Sequence, residues 1–310
     1  MRVFVTGASG HIASAVIPEL IRSGHDVVGL ARSGMGASAV AALGASVRRG
    51  DLDDLDGIKQ AAAEADGVIH LALFDSEQMR AGNMAAAVAT QQAVLGAFGD
   101  VLAGTGKPLV TTSALGALGP LGRPSTEEDG GDPGRVDWEV TTLDLAERGV
   151  RSSVVRLPPI THSSLDRHGF ASALIATAQN TGAAGYAGDG TNRWPAVHTL
   201  DAAHLYCLAL EKAEAGTRWH AVGDGGIPLR AIAQSIGDHL GVPTATIPAD
   251  RLQEHFGFLA FLIGLDLPAS NHLTRRRLGW EPTHPGLLAD LDHGDYFDRR
   301  HDDVNDLDHY

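Results

Sequence analysis

Cysteine and basic residues are scarce in this chain of 310 residues. Cys207 is the single cysteine, so no disulfide can form within the chain, which suits a reducing compartment. Lysine and arginine number 24 against 38 acidic residues, and the formal net charge is −14. Because binding to nucleic-acid phosphates requires a basic surface, we expect no nucleic-acid partner.

Long apolar runs are also missing. None approaches the ~20 residues of a membrane span, and the longest candidate, Phe256–Leu267, is short and carries Asp266. Met1 leads almost directly into the strand-like Val3-Phe4-Val5, so no signal peptide is visible. These absences favour a cytoplasmic protein without membrane contact. We expect either a monomer or a homodimer. The 44% hydrophobic residues suffice for a large core.

Strand-like segments alternate with alanine-rich segments of helical spacing in the first half of the chain. The predicted strands are Val3–Thr6, Val27–Leu30, Ser46–Arg49, Gly67–Ala72, Pro108–Thr111 and Ser153–Leu157. The predicted helices are Ile12–Arg22, Ala37–Leu43, Ile58–Ala65, Met84–Ala103 and Trp138–Arg148. Because such alternation produces a parallel sheet covered on both faces, we predict an α/β fold with a doubly wound parallel sheet of Rossmann type.

The regular alternation ends at Pro158-Pro159. We therefore predict a dinucleotide-binding domain over residues 1–157 and a smaller substrate-side region over residues 158–294, packed on it. Residues 295–310 are rich in Asp, Arg and His and nearly free of apolar residues, so we expect a flexible tail.

A glycine-rich turn joins the first strand to the first helix. Gly7 can form the tight turn, Gly10 lets the backbone approach a pyrophosphate, and Ala13 lets helix and strand pack closely. The helix N-terminus then offers free N–H groups to phosphates. The sequence therefore predicts a dinucleotide site at this turn.

The turn Thr6-Gly7-Ala8-Ser9-Gly10-His11-Ile12 resembles that of the short-chain dehydrogenases/reductases, most closely the extended and atypical branch that includes nucleotide-sugar epimerases. Later segments, including Val197-His198-Thr199-Leu200-Asp201-Ala202, follow the family's order. The resemblance implies an adenine contact after the third strand, a ribose contact after the fourth, a serine after the fifth, and a proline beside the nicotinamide. It assigns the cofactor to Gly7, Ser9, Gly10, His11, Ile12, Asp51, Leu52, Leu71, Ala72, Thr111 and Pro158.

The second strand ends without the acidic residue that would bind the ribose 2′-hydroxyl of NAD. Arg32 stands there instead, where a guanidinium could pair with a 2′-phosphate, and Ser33 could add a hydroxyl. The sequence therefore predicts NADP(H) as the cofactor.

The family's catalytic Tyr-x-x-x-Lys pair is missing, although Ser113 matches its serine. No tyrosine precedes Tyr186, and no lysine lies between Lys107 and Lys212. Counting back from Gly149 places Arg135 near the lysine position. Arg135 could hold the ribose, but it cannot readily give up a proton.

Three functions remain open: an oxidoreductase with another proton donor, a non-redox enzyme such as an isomerase or epimerase, and a sensor without turnover. For the first we predict reduction of a small apolar carbonyl or conjugated substrate. His162, just past Pro158-Pro159, is the first candidate proton donor, and Tyr186 is the second. The apolar segment Phe256–Leu265 could line a pocket for this small molecule or form a core helix or dimer contact.

Overall fold

The computed structural model describes residues 1–72, 84–130 and 137–298. Its main feature is a seven-stranded sheet in which every neighbouring pair is parallel, in the order β10-β6-β5-β4-β1-β2-β3. The strands are β1 Arg2–Thr6, β2 Asp26–Ala31, β3 Ser46–Arg49, β4 Gly67–His70, β5 Pro108–Ala114, β6 Arg151–Leu157 and β10 Thr217–His220. The predicted α/β doubly wound fold is confirmed.

Helices cover both faces of this sheet. They are α1 His11–Arg22, α2 Gly34–Ala42, α3 Leu55–Glu64, α4 Met84–Leu102, α5 Asp137–Asp144 and α7 Thr199–Lys212. On one face α1 packs against α7, and on the other α3 packs against α4. The chain order reverses between β1 and β4, so the carboxyl ends of these strands form the crevice where doubly wound folds bind ligands.

The seventh strand comes from late in the chain. Residues Thr217–His220 pair with β6, and α7 precedes them on the face of the same sheet. The boundary predicted at residue 157 therefore does not separate the two units along the chain. The sequence analysis did not predict β10 because Arg218 and His220 interrupt the run of apolar residues by which the other strands were recognised.

A second, smaller unit carries its own core. It contains a three-stranded sheet in the order β11-β9-β7 and a two-stranded pair of β12 with β8. Its strands are β7 Ile160–His162, β8 Ala184–Ala187, β9 Arg193–His198, β11 Asp224–Pro228 and β12 Thr244–Ile247. Its helices are α6 Phe170–Thr181, α8 Leu229–Leu240, α9 Leu252–Phe256, α10 His272–Leu278 and α11 Leu287–His293.

Two expectations from the sequence need correction. The stretch Ala85–Leu102 in α4 is long and apolar enough to cross a membrane by length and composition, whereas the sequence analysis took Phe256–Leu267 as the longest apolar candidate. In the structure it covers the sheet, with Val94 and Phe98 buried. The flexible tail predicted from residue 295 is wrong at its start, because Tyr296 is buried and its hydroxyl donates to Asp166.

Candidate functional site

The turn between β1 and α1 has the backbone of a phosphate-binding loop. Gly7 has a φ of 65°, and a Cβ atom there would lie 2.7 Å from the backbone nitrogen of Ala72, so only glycine fits. Gly10 is the N-cap of α1 and places no side chain over the first turn of the helix. The first N–H groups of α1 thus face the crevice, and the residues present fit the pyrophosphate of a dinucleotide.

Hydrogen bonds between buried polar side chains hold the end of β4 beside this turn. His70 donates through Nε2 to Gln91 Oε1 (2.8 Å) and accepts at Nδ1 from the Thr6 hydroxyl (2.6 Å). Gln91 donates in turn to the carbonyl of Ala72, and Leu71 donates its N–H to Thr6. The predicted cofactor residues Leu71 and Ala72 are therefore held beside Gly7.

The predicted 2′-phosphate site lies at the exposed end of β2. Arg32 extends toward Asp51, with 4.0 Å between Nε and Oδ2. Arg49, which the sequence analysis did not single out, donates to the backbone carbonyls of Ser33 (2.6 Å) and Arg32 (2.9 Å). The Ser33 hydroxyl caps α2 by accepting from Gly36. Two guanidinium groups and one carboxylate thus meet at this end of the sheet.

Arg49 illustrates what local sequence reasoning misses. It lies on the strand next to β2, because β3 pairs in parallel register with Ala31 opposite Arg49. Its position relative to Arg32 therefore follows from strand pairing. Arg32-Ser33 followed by Arg49 at the end of the next strand was the only sequence signal available. Leu52, predicted to contact the cofactor, packs against the core between the sheet and α3.

Ser113 lies near the carboxyl end of β5 and is buried. Its hydroxyl oxygen has no hydrogen-bond partner among the described residues. Burying a hydroxyl without a partner is costly, and this hydroxyl lies near the edge of the sheet at which doubly wound folds bind ligands. The neighbouring Thr111, also predicted to contact the cofactor, donates instead to Thr142 on α5. Pro158 is buried just beyond the end of β6.

A buried ion network stands on α5, the helix on which the family pattern predicts the Tyr–Lys pair. Arg156 is in register with Ser113 and binds the Glu139 carboxylate through Nε and Nη2. Arg218 adds a hydrogen bond of 2.7 Å to the same carboxylate. Burial alone would raise the pKa of Glu139, but the two guanidinium groups outweigh it and hold the pKa below its usual value. Glu139 is therefore an ion-pair partner rather than a free base.

His220 completes this network on the other side. Its Nδ1 donates to the carbonyl of Ser270, and its Nε2 accepts from Arg156. Burial lowers the pKa of His220 to about 4, so the ring is neutral near pH 7. The other candidate on this side, Arg135, lies outside the described residues.

His162 is fully buried on β7 in the second unit. Its Nδ1 donates to Asp290 (2.8 Å), while its Nε2 has no partner among the described residues. The His162 carbonyl accepts from Thr199, whose hydroxyl oxygen lies 3.0 Å from Nε2 of His11 in the phosphate-binding turn. The structure thus connects His162 to the cofactor turn through one hydroxyl group.

The second candidate proton donor, Tyr186, is placed differently. It lies on β8 in the core of the second unit, with Arg230 5.8 Å from its ring centre. A surface groove of about 880 Å³ begins at the next residue, Ala187, and its lining includes neither Ser113 nor the phosphate-binding turn. Among the described residues, Tyr186 therefore packs in the core of the second unit, and no contact joins it to Ser113.

Apolar side chains border the loop that follows Ser113. A Cβ on Gly116 would lie 3.6 Å from the Cδ1 atom of Leu262, so the apolar segment 256–265 meets this loop. Leu262 is buried there, whereas Phe258 and Phe261 are 58% and 70% exposed. Phe258 also contacts Phe170 at 5.9 Å between ring centres. Segment 256–265 is therefore partly core and partly an apolar surface near the predicted site.

The family is settled by comparison with known proteins. A model of the NAD dependent epimerase/dehydratase family matches residues 3–131. An uncharacterised protein of Schizosaccharomyces pombe is 44% identical over 300 residues, which cover 96% of this chain and 100% of that protein. The chain belongs to the NAD-dependent epimerase/dehydratase family. This confirms the resemblance to the extended short-chain dehydrogenases/reductases.

Solved structures of this epimerase/dehydratase fold align along nearly the whole chain. A double mutant of dTDP-glucose 4,6-dehydratase from Streptomyces venezuelae, solved with NAD bound, has a TM-score of 0.77 at 18% identity and covers 99% of this chain and 100% of that one. UDP-glucose 4-epimerase from Thermotoga maritima has a TM-score of 0.75 at 19% identity, covering 96% and 99%. At this identity the likeness shows the fold. Family membership and the Gly7 turn together support a nicotinamide dinucleotide as cofactor.

Proposed function

We propose that this member of the epimerase/dehydratase family is an NADP(H)-dependent reductase of small, largely apolar carbonyl or conjugated compounds. Hydride transfer is the cofactor's chemistry when it is bound, and the protein must supply orientation and a proton. The observation that carries the proposal is the buried hydroxyl of Ser113 at the carboxyl end of β5, which has no hydrogen-bond partner among the described residues. In this position it can donate a hydrogen bond to the substrate oxygen.

The preference for NADP(H) rests on the cationic end of β2. Arg32 and Arg49 both reach this point, and no acidic residue lies on β2 beyond Asp26 at its start. Asp51 is the competing group, because a carboxylate could accept from a ribose hydroxyl. A guanidinium–phosphate contact contributes about 1.5–3 kcal/mol, which corresponds to roughly tenfold to hundredfold in affinity.

Calorimetric titration with NADPH and NADH tests this preference. We expect the parent to bind NADPH more tightly, Arg32→Asp to reverse the order, and Arg49→Gln to weaken NADPH binding with little effect on NADH. Arg48→Gln is the matched control, since Arg48 is also on β3 but its guanidinium pairs with Gln60 and Glu64 on α3. Equal affinities of the parent for the two cofactors would contradict the assignment.

For the proton we propose His162. Asp290 accepts a hydrogen bond from Nδ1 and so orients the ring, while Nε2 has no protein partner among the described residues. Arg135 could assist by holding the ribose. The apolar surface formed by Phe258, Phe261 and Leu262 near the loop after Ser113 favours a substrate with an apolar body.

NADPH oxidation across a panel of aldehydes, ketones and enones tests the reaction. Ser113→Ala and His162→Gln should each lower turnover while sparing NADPH affinity. Tyr186→Phe is the control, because Tyr186 lies in the second core. Tight NADPH binding without turnover on any substrate would favour a sensor or a non-redox enzyme, and unchanged turnover in His162→Gln would exclude His162 as the donor.

A further inference from the structure

A cluster of metal-ligating side chains lies at the edge of the large sheet opposite the cofactor. His25 follows the end of α1 and precedes β2, while Cys207 and Glu211 lie on the second half of α7. Their imidazole, thiol and carboxylate ligand atoms all lie within 4.8 Å of one another. Nothing in the proposed reductase chemistry uses these residues.

The distances within this cluster are close to those of a tetrahedral zinc site. His25 Nε2 lies 3.0 Å from Glu211 Oε1, and Cys207 Sγ lies 3.9 Å from the same oxygen. Zinc bonds of about 2.3 Å to sulfur and about 2.0–2.2 Å to nitrogen and oxygen give edges of about 3.3 Å for N···O and about 3.6 Å for S···O in a tetrahedron. These two pairs therefore need a change of only a few tenths of an ångström, and the third pair, His25 with Cys207, lies within 4.8 Å.

The fold holds these ligands in place. Cys207 and Glu211 are four residues apart and so share one face of α7, which packs against α1. Cys207 and the His25 ring are nearly buried, whereas the Glu211 side chain is 34% exposed. Two buried ligands and one at the surface give solvent an approach to the cluster from the Glu211 side, from which a water molecule would supply the fourth ligand.

The chemistry of the donors selects the kind of cation. A thiolate with an imidazole suits zinc and similar borderline-soft cations, whereas calcium and magnesium prefer oxygen ligands only.

We propose that His25, Cys207 and Glu211 bind one divalent cation of the zinc class. The cation joins the end of α1 and the start of β2 to the end of α7. Because the site is at the opposite edge of the sheet from the Gly7 turn, its role is to stabilise the fold, independently of turnover.

Cobalt(II) and zinc titrations of the full-length protein test this site. Cobalt should give the visible bands of a tetrahedral complex and a thiolate charge-transfer band, which only Cys207 can supply because the chain has no other cysteine. Zinc should displace it one for one. Free zinc at a hundred times its Kd should raise the Tm by roughly 5 °C.

Variants separate this site from metal binding at other histidines. Cys207→Ser should abolish the charge-transfer band, and His25→Asn or Glu211→Gln should weaken binding by roughly a hundredfold or more. His204→Gln is the matched control, since His204 lies one turn before Cys207 and bonds Glu19 instead. Absence of the charge-transfer band in the folded parent, or zinc affinity unchanged in Cys207→Ser, would overturn the proposal.

Discussion

His70 should make the stability of this protein sensitive to mild acid. Burial lowers the pKa of His70 to about 4, against an ordinary value of 6.5, and its two ring nitrogens are committed to Thr6 and Gln91 in the neutral form. Between pH 6.5 and 4 the His70 imidazole is therefore protonated in the unfolded chain but neutral in the folded protein. Stability falls as the pH drops through this window.

The size of the effect follows from the two pKa values. Lowering the pH from 7 to 5 should cost about 1.8 kcal/mol through His70 alone. His198 and His220, whose pKa values burial also lowers to about 4, add losses of the same sign. A difference between parent and variant is thus needed to isolate the contribution of His70.

Urea unfolding followed by circular dichroism at pH 7 and pH 5 provides the measurement. His70→Gln should be less stable than the parent at pH 7, because it loses buried hydrogen bonds, yet it should lose about 1.8 kcal/mol less between the two pH values. His272→Gln at an exposed histidine should behave like the parent. Equal losses in the parent and His70→Gln would refute the reasoning.

Three further predictions concern the turn, the ion network and the apolar surface. Gly7→Ala should weaken dinucleotide binding at least tenfold in calorimetry, because its Cβ would lie 2.7 Å from Ala72, whereas Gly34→Ala meets nothing within 4 Å and should bind normally. Glu139→Gln should lower the urea-derived unfolding free energy by about 3–5 kcal/mol, since it leaves Arg156 buried without its charge partner, and a loss below 1 kcal/mol would contradict this. Phe261→Ser should raise KM for apolar carbonyls without lowering Tm, whereas Met35→Ser, also at an exposed apolar residue, should change neither.

The sequence was sufficient for the elements that carry local signals. The first strand was predicted at Val3–Thr6 and lies at Arg2–Thr6, and the first helix was predicted at Ile12–Arg22 and lies at His11–Arg22. Both segments have apolar residues at the period of their element, and Gly24 follows the end of α1 with a positive φ. Such signals depend only on residues close together in the chain.

The parts that escaped prediction depend on distant contacts. β10 carries the half-buried Arg218 and the buried His220, whose side-chain partners are Glu139, Arg156 and Ser270. The same holds for Arg49, which reaches the end of β2 through strand pairing. From sequence alone, polar residues of this kind are predicted to face solvent. Their partners are distant in the chain and become neighbours only when the sheet has formed.

The late origin of β10 also affects how the protein is made. About sixty residues separate the end of β6 from this strand, so at ~5–20 residues per second the ribosome needs roughly 3–12 s to supply it. During that interval β6 is an edge strand whose backbone groups on the β10 side are unpaired. A nascent chain cut off at residue 157 would keep that edge permanently, so the dinucleotide-binding half should aggregate when expressed alone and remain soluble when residues 158–298 are supplied in the same chain.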